Sequence, residues 1–76
     1  MTVKGVNRMY PLAAQLRAAR IAAGLTQKQL GLACGYIESS AERTVQHWES
    51  GKQSPPLDKL RALADALNVS LDYLIP

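Results

Sequence analysis

Arg43, Gln46 and His47 stand at i, i+3 and i+4 in the stretch ERTVQHWESGK, a spacing that gathers three polar side chains on one side of a helix. Arginine offers a planar fork of donors, glutamine both a donor and an acceptor, and histidine a ring N–H. These groups can read base edges in a major groove. Arg43 can donate twice to guanine, and Gln46 can donate to and accept from adenine, each good bidentate pair giving about 1–3 kcal/mol of discrimination. By composition alone the same trio is an ordinary solvated helix face. The elements that hold it decide between the two.

Ala41, Val45 and Trp48 fall at i, i+4 and i+7 behind the trio, a stripe expected to be buried. That makes Trp48 a core residue rather than a stacking platform. Ser39 followed by Glu42 has the spacing of a capping box, which predicts a helix from near Ser40 to about Ser50, closed by Gly51. Upstream, Thr26 and Gln29 make a second capping box, and Leu25 and Leu30 a hydrophobic staple. These predict a helix from Gln27 to about Cys34, with Leu30 and Ala33 facing inward and Gly35 ending it. Gly31 stands where a missing side chain permits close helix contact, at about 1 kcal/mol against alanine.

A first helix is expected from Pro11 to Ala23, with Leu12, Leu16, Ala19 and Ala23 on one face and Gly24 as its stop. Pro55 and Pro56 lead into a helix over Leu57 to Leu67, whose apolar face is Leu57, Leu60, Leu63, Ala64 and Leu67. Ser70 caps a short last helix, Leu71 to Leu74. Residues 1–10 are polar and basic, either a disordered tail or an arm toward a phosphate backbone or minor groove, and 11–76 form one domain. The fold class expected is all-α, five short helices around one small core.

Composition agrees. The chain has 76 residues, is rich in Ala and Leu, and has no Phe. Its net charge is +3, unevenly spread. Through Lys52, seven basic residues face Glu38, Glu42 and Glu49, a balance of +4; beyond it, Lys59 and Arg61 face Asp58, Asp65 and Asp72, a balance of −1. A polyanion would meet the positive half, which holds the helix pair. Cys34 is the only cysteine, so no disulfide forms within the chain. No secretory apolar region starts the sequence, no apolar run approaches a bilayer span, and a reducing cytoplasm is the expected compartment.

With GLTQKQL, then Gly35, then ERTVQHWESGK, then PPLDKLRALADALNVSLDYL, the sequence resembles the lambda-repressor-like, Cro-type helix-turn-helix family over about Leu12 to Leu74. The resemblance implies a compact five-helix domain and a phage or bacterial transcription regulator, of repressor type, that binds double-stranded DNA as a homodimer. It implies a backbone or outer-base contact from Gln27, and Arg43, Thr44, Gln46 and His47 in the major groove. It implies a phosphate held by Ser50, Lys52 and Gln53, and an ion pair between Arg20 and Glu49. Lys28 and Lys52 flank the face as further phosphate contacts. The sequence departs from the family in Gly31, where Ala is usual, and in a Gly35 to Trp48 interval about four residues longer than common, roughly one helical turn. Either the third helix is extended at its N-terminal end or the turn bulges. The insertion brings Ser39, Ser40 and Glu42 within reach of DNA.

Other classes have less to stand on. His47 with Ser39 or Ser40 lacks the context of a nucleophile elbow, so no enzyme is expected. One His and one Cys cannot make a structural zinc site, and no glycine-rich phosphate loop is present, so neither a metal, a cofactor nor a small-molecule ligand is expected. The competing reading is a protein-interaction module on the same fold, such as an antitoxin. Tyr73, Leu74 and Ile75 make an apolar end that would serve a homodimer first, or another protein.

Overall fold

The computed structural model describes residues 12–74. These form five helices: α1 (Leu12–Ala22), α2 (Gln27–Ala33), α3 (Glu38–Ser50), α4 (Leu57–Leu67) and α5 (Leu71–Leu74). The expected start at Pro11, the N-terminal arm and Ile75 lie outside the described residues. No strand occurs among those described.

Local chemistry explains most boundaries. Gly24 and Gly51 adopt left-handed backbone, with φ of 76° and 82°, and end α1 and α3. At α2 the Thr26 hydroxyl accepts from the Gln29 N–H at 3.0 Å, and the Gln29 side chain accepts from the Thr26 N–H at 2.8 Å. That reciprocal cap satisfies two donors that the first turn would leave bare. The Ser70 hydroxyl accepts from the Tyr73 N–H at 3.3 Å and caps α5.

The core joins Leu16 and Ala19 of α1, Leu30 and Cys34 of α2, Val45 and Trp48 of α3, Leu60, Leu63, Ala64 and Leu67 of α4, and Leu74 of α5. α3 packs chiefly on α2 and then on α1, while α4 rests on α2 and α5 bridges α4 and α1. Tyr36 and Trp48 meet in a T-shaped pair, their ring centres 5.7 Å apart, and the Lys59 ammonium sits 5.0 Å from the Tyr36 ring centre. Lys59 Nζ also donates to the Cys34 carbonyl at 3.1 Å, satisfying an acceptor at the end of α2.

Several side chains lie elsewhere than the sequence suggests. Ala33 is exposed, and the buried positions of α2 are Leu30, Gly31 and then Cys34. Gly31 explains the rotation: a Cβ built there would lie 2.4 Å from the Ala41 carbonyl oxygen, so α2 meets α3 backbone to backbone on that side. Ala23 is exposed past the end of α1, and Leu57, at the first turn of α4, is 80% exposed. α3 begins at Glu38, not near Ser40; Ile37 is its N-cap without a side-chain bond, and Ser39 caps nothing. The N–H groups of Ser40 and Ala41 already bond the Ile37 carbonyl, and Glu38 places its charge at the positive end of the helix. α3 has 13 residues, and the turn before it, 34–37, is short. Of the apolar end expected to be open for a partner, Leu74 is buried in the core and Tyr73 is 40% exposed, while Ile75 lies outside the described residues.

Candidate nucleic-acid interface

α3 turns Ala41, Val45 and Trp48 inward. On the opposite side Ser39, Glu42, Arg43, Gln46 and Ser50 are exposed, while Ser40, Thr44 and His47 are half-buried on one shoulder. The trio read from the sequence is thus divided: Arg43 and Gln46 point outward, and His47 sits beside them at the helix flank. Arg43 has no carboxylate partner among the described residues.

A polar chain runs from the interior to this face. Arg20 Nε donates to Glu49 Oε2 at 2.6 Å and Arg20 Nη2 to Glu49 Oε1 at 3.2 Å. Arg20 Nη1 also donates to the Leu25 carbonyl at 2.9 Å. The pair is largely shielded, with 12% and 5% of the two side chains exposed. Gln27 Nε2 donates to Glu49 Oε1 at 3.1 Å, and Gln46 Nε2 donates to Gln27 Oε1 at 3.3 Å. α1, α2 and α3 are thereby tied together by four side chains. A glutamine amide has two N–H donors and an acceptor oxygen. With one N–H held by Gln27, Gln46 keeps one donor and its oxygen, the combination an adenine edge requires.

The flanking positions differ in how free they are. Ser50 Oγ donates to the His47 carbonyl at 3.3 Å and accepts from the Lys52 N–H at 3.3 Å. The Gln53 N–H donates to the His47 carbonyl at 3.1 Å, so the loop after α3 is folded back on the helix end. The side chains of Lys52 and Gln53 are exposed there. Lys28 is not free: its ammonium lies 2.6 Å from Glu38 Oε2. The hydrogen bond and charge of Glu38 raise the Lys28 pKa above its ordinary value, with Glu42 adding to the effect. Nothing in the sequence pointed to Glu38 as a partner, because no helical spacing connects residues on either side of a turn.

Arg17, Arg20, Gln27, Glu42, Gln46 and Ser50 line an open depression where α1, α2 and α3 meet. Its chemistry is that of donors and charges. The ring of His47 makes no bond to a serine among the described residues. Burial raises the Cys34 thiol pKa, which the nearby Lys59 charge opposes, so the thiol stays protonated at neutral pH. No group of His, Cys, Asp or Glu suited to a metal occurs among the described residues. No helix there is long and apolar enough to cross a membrane.

A helix-turn-helix family model matches residues 16–74. The chain belongs to the helix-turn-helix family, of the Cro/C1, lambda-repressor-like type. It is a DNA-binding domain of the kind found in transcription regulators. No curated protein matches the chain.

Proposed function

We propose that this domain is a sequence-specific repressor that inserts α3 into the major groove of an operator. Arg43 and Gln46 read base edges, joined by Thr44 and His47 from the shoulder, with Ser39 and Ser40 reaching further along the groove from the first turn of α3. Gln27, Ser50, Lys52 and Gln53 meet the backbone and fix the register, with Lys28 beside them held by Glu38, since phosphate contacts position a protein without reading sequence. The observation that carries the reading is an uncovered Arg43–Gln46 edge on a helix whose other side is locked into the core.

The domain acts as a homodimer on a two-fold operator, whose half-sites would lie about 34 Å apart. Leu74 is consumed by the core, which leaves Tyr73 as the described residue of that end open to the partner copy, or to another protein in the antitoxin reading. Selection from a random duplex pool tests the proposal, and should return one symmetric motif. Arg43→Ala should then weaken binding to that motif by about 1–3 kcal/mol while barely changing binding to random duplex. Equal loss on both would make Arg43 a phosphate contact and overturn its reading role.

A further inference from the structure

Lys28 is the second residue of α2 and Glu38 the first of α3, and their 2.6 Å contact closes over the turn that joins the helices. Both side chains are open to solvent, 45% for Lys28 and 70% for Glu38. Such an exposed pair adds little to stability. It sits at the N-terminal end of α3, the end of a recognition helix that approaches DNA. A DNA phosphate would offer Lys28 the same partner, a charged oxygen at hydrogen-bond distance. The Glu38 carboxylate is also held in place by the positive end of the α3 dipole. The start of α3 at Glu38, rather than near Ser40, puts the carboxylate at this position.

We propose that Glu38 is an internal stand-in for DNA phosphate at Lys28, subtracting one backbone contact and setting the affinity of the domain for DNA. This rests on the DNA-reading role proposed above. The device acts on the sequence-independent part of binding, because that part comes from cations that neutralise phosphates and release counterions. It leaves Arg43 and Gln46 untouched, so it scales affinity for all sequences alike.

The test uses the 76-residue chain, with Glu38→Gln, Lys28→Gln and the double substitution. Anisotropy of a labelled random-sequence duplex is followed across a salt series, with helical content and melting by circular dichroism confirming that each variant folds. Glu38→Gln should steepen the slope of log K against log salt by about 0.9 and strengthen binding about 8-fold at 0.1 M salt, falling to about 4-fold at 0.2 M. The double variant should lose that gain. Equal slopes for the chain and Glu38→Gln would overturn the proposal. So would a gain that persists in the Lys28→Gln background, which would show simple repulsion between Glu38 and DNA. Failure of all four proteins to bind duplex at the lowest salt would instead bring down the DNA-reading role, and this inference with it.

Discussion

Gly31→Ala adds a single methyl at the seam between α2 and α3. That methyl would lie 2.4 Å from the Ala41 carbonyl oxygen and 2.7 Å from the Ala41 carbonyl carbon and Cβ. Ordinary contact begins at 3.4 Å, so the helices must part locally by 3.4 minus 2.4, or 1.0 Å. Two of the three obstructing atoms are backbone, so no rotamer change relieves them. Overpacking of this kind costs about 1–3 kcal/mol, and a rigid backbone neighbour puts it at the upper end. Alanine recovers about 1 kcal/mol of helix propensity. The net loss is therefore about 2 kcal/mol, lowering Tm by about 8–16 °C for a domain of this size. Gly24→Ala is the control, because nothing lies within 4 Å of its added Cβ and only its left-handed φ of 76° is strained. Adding Ala41→Gly to Gly31→Ala removes one obstructing atom of three and should rescue little. The assay is thermal denaturation by circular dichroism. A Gly31→Ala protein that melts at or above the parent temperature would refute the close approach, and with it the account of why Ala33 turns outward.

Two further perturbations probe the charges. Glu49→Ala leaves the shielded Arg20 guanidinium with the Leu25 carbonyl as its remaining partner, and should cost about 2–3 kcal/mol in urea unfolding, less than the ~3–5 of a fully buried pair; a loss below about 0.5 kcal/mol would class the pair with surface ion pairs. The hydrogen bond and charge of Lys28 hold the Glu38 carboxyl below its ordinary 4.5, so the contribution of the pair is complete above pH 4.5 and disappears as pH falls through the depressed value. At the alkaline limit the sign reverses: Lys28 is raised above 10.5, and the pair is lost only as pH climbs through that raised value. Carboxyl-carbon NMR should find the Glu38 midpoint under 4.5 and restore it to about 4.5 in Lys28→Gln; identical midpoints would deny the contact in solution.

Much of this fold is written in neighbours within one helical turn. The Thr26–Gln29 cap, the stops at Gly24 and Gly51, and the Ala41, Val45 and Trp48 stripe depend on residues three or four apart, and the structure contains all of them. The family, too, is legible from such strings, as is an outward edge bearing Arg43 and Gln46. Ser39 and Glu42 show where that kind of reasoning stops. Their spacing matches that of Thr26 and Gln29, yet Ser39 lies inside α3, because the helix extends back to Glu38. Local spacing states that a cap is available; it does not state that the helix begins there.

The sequence by itself determined five helices, their order and the polar stripe that marks α3. Only the tertiary structure decided which way α2 rolls onto α3, that Leu74 closes into the core, that Glu49 reaches Gln46 through Gln27, and that Glu38 occupies Lys28. The physical reason is distance along the chain. Those contacts join residues 10 or more positions apart, where no helical period relates them, and they form only when packing brings separate helices together.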